Sequence, residues 1–154
     1  MARPSGRDRS KPWRRNDLGN STSRSATLPT ESKGRRPTVL IVDDEELVRY
    51  VTQELLTCLG YDVEVASTGE EAVEQIRAGL RPDLILLDIV MPGMGGVEAF
   101  RRIHKIAPDI PVLLSSGFTD PESAATLLNE GLVGIISKPY RMENLGARIR
   151  EVLG

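Results

Sequence analysis

The segment Leu84–Gly96 reads LILLDIVMPGMGG: four aliphatic residues, one aspartate, and then a loop rich in glycine and proline. A short aliphatic run that is closed by turn residues is typical of a strand buried on both faces of a parallel sheet. We predict this strand over Asp83–Leu87, so that Asp88 follows its carboxyl end. Ligands of open parallel sheets bind beyond that end of the strands, which makes Asp88 a candidate functional residue.

The same alternation continues along the chain from Thr38. Short apolar runs alternate with segments of helical periodicity, and this pattern predicts five βα units and an α/β fold around a parallel sheet. The first, third and fifth runs are nearly continuous aliphatic segments, so we expect those three strands to be central. The predicted strands are Thr38–Val42, Asp62–Ala66, Asp83–Leu87, Pro111–Ser115 and Leu132–Ile136.

Five helices are predicted between and after these strands. The second should be capped by Ser67 or Thr68, the third should run from about Gly96 to Ala107, and the fourth should open at Asp120-Pro121. The first and last helices each show one apolar stripe, which we expect to face the core. The stripe residues are Val48, Val51, Leu55 and Leu59 in the first helix, and Leu145, Ile149 and Val152 in the last.

Length and composition favour a single domain. The chain has 154 residues, of which 40% are hydrophobic, enough for one buried core. Its apolar runs are too short to cross a bilayer, and no stretch resembling a signal peptide follows Met1. Cys58 is the only cysteine, which excludes an intramolecular disulfide and paired-cysteine zinc or redox motifs. These features predict a cytoplasmic protein without a membrane partner.

The charge is unevenly distributed. Residues 1–37 contain ten Lys/Arg against three Asp/Glu, whereas residues 38–154 contain ten against nineteen. The first segment is rich in Arg, Ser, Thr and Pro and poor in apolar residues, so we predict a disordered basic N-terminal tail. A nucleic-acid-binding or transit-like arm is the alternative. The acidic remainder repels nucleic acid, so no specific nucleic-acid partner is expected.

Carboxylates converge at one edge of the predicted sheet. Asp43 and Asp44 follow the first strand, Asp88 follows the third, and Ser115-Ser116 and Lys138 lie at the ends of the fourth and fifth. Two unit charges about 4 Å apart repel by about 4 kcal/mol at an effective dielectric of about 20, so such a cluster requires a cation. Its hard oxygen ligands favour Mg²⁺ over zinc. Taken alone, each carboxylate could merely cap a helix or a turn.

Four motifs, in this order, resemble the receiver domains of response regulators in two-component signalling. They are VDDEE (42–46), LLDIVMPGMGG (86–96), PVLLSSG (111–117) and SKPY (137–140). The resemblance covers Pro37–Gly154 and implies a flavodoxin-like, doubly wound sheet of five parallel strands in the order 2-1-3-4-5, with five helices. We therefore divide the chain into the tail, residues 1–37, and a receiver domain, residues 38–154.

The resemblance implies a Mg²⁺-dependent phosphoacceptor. Asp88 would be the nucleophile that takes a phosphoryl group from a histidine kinase or a histidine phosphotransfer protein. Asp43, Asp44 and the backbone carbonyl of Val90 would hold Mg²⁺ together with Asp88. Self-phosphorylation and slow self-dephosphorylation would be the only reactions, so we do not predict an enzyme in the usual sense.

The same resemblance assigns the other polar residues of this edge. Ser116 would hydrogen-bond the phosphoryl group, while Lys138 would neutralise one of its oxygens and precede a cis Pro139. Two positions depart from the family pattern. Ile135 stands where an aromatic switch residue is common, which argues against aromatic switching, and Gly95 replaces a usual loop acid, which predicts a looser loop.

The remaining residues of interest are assigned no role. His104, the only histidine, follows two arginines and is predicted to lie on a solvated basic face. Gly93 and Gly96 are predicted to be turn glycines, since no phosphate-binding glycine motif is present. Phe118 and Tyr140 flank the expected site, where they would either shield an acyl phosphate from water or simply pack at its rim.

Two other functions compete with the phosphoacceptor. A phosphatase of the haloacid dehalogenase type also uses an aspartate after a strand, but its first-strand motif should read D-x-D, whereas this chain has Asp43-Asp44-Glu45. A pseudo-receiver that only binds proteins would not need the complete set of acids, serine and lysine. We expect no effector domain after the fifth predicted helix, so output would run through a downstream effector protein, through phosphorelay to a histidine phosphotransfer protein, or through stand-alone inhibition.

Overall fold

The computed structural model describes residues 35–117 and 119–154. These residues form one parallel sheet of order β2-β1-β3-β4-β5 with five α-helices, which confirms the predicted flavodoxin-like α/β fold. The strands are β1 (Thr38–Val42), β2 (Asp62–Ala66), β3 (Leu84–Asp88), β4 (Val112–Ser116) and β5 (Gly134–Ser137). The helices are α1 (Glu46–Cys58), α2 (Gly69–Arg77), α3 (Gly96–Ile106), α4 (Pro121–Asn129) and α5 (Met142–Leu153).

The predicted bounds of β1 and β2 are confirmed, whereas β3 and β4 both begin and end one residue later than predicted. Asp88 pairs with Ser115, and the next backbone amide, that of Ile89, donates to the Ser115 carbonyl at 3.0 Å. Strand pairing therefore continues one residue past the aliphatic run. As a result Asp88 and Ser116 are the last residues of their strands.

The expectation that the fifth strand is central is wrong. β5 lies at an edge of the sheet, and β4, whose five residues are all buried, lies between β3 and β5. The apolar run was misleading because its first two residues precede the strand. Leu132 packs into the core from the turn after α4, and its amide donates to the Leu127 carbonyl at 3.1 Å. In the sequence, a buried turn residue therefore looks the same as a buried strand residue.

Two separate cores cover the two faces of the sheet. The first contains residues of α2, α3 and α4, and the second contains residues of α1 and α5. Successive strand residues alternate between them: in β1, Val39 and Ile41 contribute to the second core, while Leu40 and Val42 contribute to the first. This alternation follows from the pleat, and it explains why the central strands are aliphatic at every position.

The helix stripes and caps are mostly as predicted. In α1, however, the predicted stripe is displaced: Thr52 and Leu56 are buried, whereas Val51 is 47% exposed. Thr52 tolerates burial because its hydroxyl donates to the Val48 carbonyl at 2.8 Å, so a polar residue occupies a core position. The stripe of α5, the Thr68 cap of α2 and the Asp120 cap of α4 are confirmed.

No helix among residues 35–117 and 119–154 is long and apolar enough to span a membrane. Residues 1–34, which make up most of the predicted tail, and Phe118 lie outside the described residues.

Candidate functional site

Three carboxylates meet at the carboxyl ends of two neighbouring strands. Asp43 directly follows β1 and Asp88 ends β3; both are buried, at 3% and 6% exposure, whereas Asp44 is exposed. One carboxylate oxygen from each of the three lies within 4.8 Å of the others. The sheet therefore brings together the three acids that the sequence places on this edge.

A lysine ammonium lies between the two buried acids. Lys138 Nζ is 3.0 Å from Asp43 Oδ2 and 3.3 Å from Asp88 Oδ1. Its backbone amide donates to the Ser116 carbonyl at 2.9 Å, which extends the pairing of β4 with β5 and brings the lysine to the pocket. The peptide bond between Lys138 and Pro139 is cis, as predicted.

Burial and charge shift the pKa values of Asp88 and Lys138. The pKa of Asp88 is raised, first by burial and then by the negative charge of Asp43, and Lys138 only partly opposes this. Burial lowers the pKa of Lys138, but the hydrogen bond and charge of Asp43, and then those of Asp88, outweigh it and the pKa is raised. One ammonium for three carboxylates leaves the pocket with an excess of negative charge.

Asp43 is held from several sides. Its Oδ1 accepts the Glu45 amide at 2.9 Å, and its backbone carbonyl accepts the Arg49 guanidinium at 2.7 Å. With Oδ2 on Lys138, the carboxylate has a fixed orientation. Arg49 did not emerge from the sequence, because nothing in its spacing marks a side chain that bonds the backbone of the preceding loop.

The structure also locates the two remaining predicted site residues. Ser116 is 4% exposed and ends β4, next to the strand that carries Asp88. The Val90 amide donates a hydrogen bond to Asp88 Oδ1 at 3.4 Å, and Val90 as a whole is 76% exposed. The main chain at Val90 is therefore adjacent to Asp88, and the role of its carbonyl oxygen stays a prediction.

The loop after Asp88 closes on Gly96, where the sequence predicts an ordinary turn residue. The Gly96 amide donates to the Ile89 carbonyl at 3.0 Å, and a Cβ atom on Gly96 would overlap the Asp88 carbonyl oxygen. Gly96 is therefore required for a close approach between α3 and β3. Gly93 is a turn glycine as predicted, with φ of 72°.

The aromatic side chain of Tyr140 lies beside the pocket, and the imidazole of His104 lies at a distance from it. Tyr140 packs against the second core, and burial raises the pKa of its hydroxyl, against a lowering effect of its hydrogen bond with Ser115. His104 is not simply solvated: it is half-buried, its ring centroid is 5.4 Å from that of Phe100, and it lies against Gly131. Nothing in this environment gives it a role in the pocket.

The donor set suits a hard divalent cation. The residues at the pocket offer carboxylate and main-chain oxygens, which match the ligand preference of Mg²⁺. A dication would also offset the excess negative charge that Lys138 leaves. The residues present therefore fit the metal that the sequence analysis predicted.

Comparison with known proteins assigns the chain to a family. A family model described as the response regulator receiver domain matches residues 39–150. The chain belongs to the response-regulator receiver family. This receiver is 35% identical over 115 residues to the response regulator MprA of Mycolicibacterium vanbaalenii and 36% identical over 115 residues to that of Mycobacterium leprae. These matches cover 75% of this chain and 49% and 50% of the relatives, so the chain spans about half their length.

Solved receiver structures share the fold. The CheY-like response regulator receiver domain protein from Methanospirillum hungatei JF-1 superposes with a TM-score of 0.72 at 32% identity, covering 77% of this chain and 94% of that one. The chemotaxis protein CheY4 of Vibrio cholerae gives a TM-score of 0.72 at 30% identity, covering 77% and 100%. The predicted resemblance to receivers of two-component signalling is confirmed.

Proposed function

We propose that this receiver accepts a phosphoryl group on Asp88 from a histidine kinase or a histidine phosphotransfer protein, and that it signals through a downstream effector protein. The observation that supports this most strongly is Lys138 Nζ lying between Asp43 and Asp88, at 3.0 and 3.3 Å. Two buried carboxylates that share one ammonium at the open end of a sheet keep a net negative charge, which suits a divalent cation beside the nucleophile.

Asp88 would act as the nucleophile. One carboxylate oxygen forms a bond to phosphorus as the bond from phosphorus to the donor imidazole nitrogen breaks, and the electron pair of that bond stays with the imidazole. The strand end and the Gly96 contact fix the backbone of Asp88, so that the carboxylate is presented without rearrangement. Lys138, already in contact with Asp88 Oδ1, can neutralise a phosphoryl oxygen there.

Asp43, Asp44, Asp88 and the Val90 carbonyl would hold Mg²⁺. The bound ion would supply positive charge to the phosphoryl oxygens. Asp43 is pre-oriented by Glu45 and Lys138, whereas the exposed Asp44 remains accessible. Ser116, buried beside this edge, would donate its hydroxyl to the phosphoryl group.

The setting of the receiver is part of the proposal. We place it in the cytoplasm with no membrane partner. We expect no specific nucleic-acid partner, because residues 38–154 carry the excess of acidic groups. The Arg-rich residues 1–37 would bind polyanions only weakly and in a salt-dependent manner. The chemistry is limited to formation and slow hydrolysis of the aspartyl phosphate.

Phosphorylation by acetyl phosphate tests the proposal. Wild-type protein with Mg²⁺ should give a base-labile phosphoprotein that is retarded in phosphate-affinity electrophoresis, while D88N and an EDTA-treated sample should not shift. D109N, which changes an exposed aspartate in the loop before β4, is the matched control and should shift like wild type. Labelling of D88N at the wild-type level would relocate the site. Failure of wild type with acetyl phosphate and with histidine-phosphorylated donors would make the domain a protein-binding pseudo-receiver.

A further inference from the structure

The loop that follows the phosphoacceptor is held from outside by α2. We propose that Glu70, in the first turn of α2, is a positioning residue that fixes the loop of residues 89–95 for the reaction at Asp88. This inference rests on the function proposed above. Glu70 itself touches none of the reacting atoms; it acts on the loop that carries Val90.

The contact between Glu70 and the loop is direct. Glu70 Oε2 accepts the Met94 backbone amide at 3.2 Å. The same oxygen would lie 2.9 Å from a Cβ atom on Gly93, so the carboxylate lies against the main chain of the loop. The preceding residue is equally close, since a Cβ atom on Gly69 would lie 2.8 Å from the Met94 carbonyl oxygen. Two glycines, one in each segment, thus permit this approach.

At its α3 end the loop has no side-chain acceptor of its own. Gly95 is the N-cap of α3 and makes no side-chain hydrogen bond, so the first turn of α3 lacks the local acceptor that Ser, Thr, Asp or Asn would supply. The Asp88 end of the loop is fixed by the Ile89 amide, which donates to the Ser115 carbonyl, and the Gly96 amide, just past the other end, donates to the Ile89 carbonyl. Glu70 adds a contact from outside at Met94, two residues before Gly96.

Holding both ends restricts the main chain at Val90, which lies between them. Release of Met94 should therefore disturb the Val90 backbone and, through it, the environment of Asp88. The carboxylate serves as a hydrogen-bond acceptor in this arrangement, so its charge is not required. A glutamine, whose carbonyl oxygen can accept the same amide, should substitute for it.

Three variants test the contact. E70A removes the acceptor, E70Q retains one, and E74A removes another exposed acid one turn later, where Glu74 pairs with the exposed Arg77. Hydrogen exchange of the Met94 amide, measured by NMR, should accelerate about fivefold in E70A. The rate of phosphorylation by acetyl phosphate should fall by about the same factor, which is the size expected for one exposed hydrogen bond. E70Q and E74A should stay within about twofold of wild type on both measures.

A rescue variant separates positioning from other roles. Gly95 has φ of −72° and ψ of 172°, and a Cβ atom there meets only the Ile89 carbonyl oxygen at 3.6 Å, an ordinary contact. G95D should therefore fit and supply a local cap for α3. In the double variant E70A/G95D, most of the lost phosphorylation rate should return.

The outcomes are distinguishable. Wild-type exchange and rate in E70A would overturn the inference. An E70Q as slow as E70A would also overturn it, since Glu70 would then act through its charge, and so would an E70A/G95D as slow as E70A, since fixing the start of α3 would then not replace the Glu70 contact. If wild type accepts no phosphoryl group, the proposed function fails instead. Exchange at Met94 would still decide whether Glu70 holds the loop, because that measurement does not require phosphorylation.

Discussion

A Cβ atom on Gly96 would overlap the backbone carbonyl oxygen of Asp88. The first residue of α3 therefore lies against the end of β3, and the helix start and the pocket aspartate form a single rigid unit. The Gly96 amide, bonded to the Ile89 carbonyl at 3.0 Å, completes this unit. Any side chain at position 96 must displace either the helix or the strand end.

Gly96→Ala should lower the free energy of unfolding by about 2 kcal/mol, the scale of a side chain forced into closely packed surroundings. Urea denaturation measures this loss. G95S is the matched control: position 95 has room for a Cβ atom, and serine is favoured at an N-cap, so its stability should be at least that of wild type. Equal stability of G96A and G95S would show that the close approach is not maintained in solution.

Wild type and D88N should differ in stability in a pH-dependent way when Mg²⁺ is absent. Burial and the charge of Asp43 raise the pKa of Asp88 in the folded protein. A carboxyl of this kind contributes stability below its unfolded pKa and loses that contribution as the pH rises through its folded pKa. Wild type should therefore match D88N near pH 4 and become less stable than D88N near pH 7, as measured by urea denaturation in EDTA. A gap that widens as the pH falls would contradict the direction of the shift.

Lys138→Met should destabilise the metal-free protein and make its stability strongly dependent on Mg²⁺. The substitution leaves Asp43 and Asp88, whose side chains are 4% and 8% exposed, without their shared cation. The expected loss is about 1 to 3 kcal/mol, below that of a fully buried pair because Lys138 is partly exposed. Thermal melting in EDTA and in Mg²⁺ measures it.

Arg102→Met provides the matched control for this lysine. Arg102 pairs with Glu98 at 2.8 Å, but both side chains are about half exposed, so the loss should be within about 0.5 kcal/mol and independent of Mg²⁺. If K138M melted like R102M in both buffers, the lysine would not be balancing the two aspartates.

Asp44→Ala should weaken Mg²⁺ binding by at least about tenfold while leaving the fold intact. Asp44 is exposed, so its removal costs little packing, yet it supplies one of the three convergent oxygens. An NMR titration with Mg²⁺, using E54A on the exposed side of α1 as control, gives the two affinities. Unchanged affinity in D44A would remove Asp44 from the metal ligands.

Deleting residues 1–36 should leave the melting of the domain nearly unchanged, because these residues are predicted to contribute almost nothing apolar to the core. Trp13, the only tryptophan, offers a second measurement on the full chain. Its emission should be that of an exposed indole throughout the melt that circular dichroism follows. A shift of Trp13 emission on unfolding, or a loss of several kcal/mol on deletion, would show that the tail packs on the domain.

Local sequence patterns predicted most of the fold. The aliphatic runs placed β1 correctly and β3 and β4 within one residue, because burial on both faces leaves a continuous apolar composition. The edge strand β2, whose residues alternate in exposure, was placed by its alternating pattern. The position of a strand within the sheet was harder to predict. The apolar run ending in Ile136 includes Leu132, which lies in a turn but is buried in the core. Composition does not distinguish a buried turn residue from a buried strand residue. The predicted stripe of α1 was wrong at Val51 for a related reason, because Thr52 occupies the core position.

The candidate site was likewise predictable only in part. Asp43, Asp88 and Lys138 are brought together by topology, although 95 residues separate the lysine from Asp43, and motifs at strand ends were sufficient to predict this. The contact of Glu70 with Met94 joins the first turn of α2 to the loop after β3, and no motif marks it. Side-chain to main-chain bonds of this kind depend on how closely two segments approach, which the sequence encodes only through glycines such as Gly69.

The division of each central strand between two cores has a consequence for insertions and deletions. Leu86 contributes to one core and Leu87 to the other, so almost any aliphatic residue at either position can be accommodated with modest repacking. Adding or removing one residue within β3 would instead turn every following side chain to the opposite face, Asp88 included. The strands that lead to the pocket should therefore tolerate substitutions between aliphatic residues but no insertion or deletion.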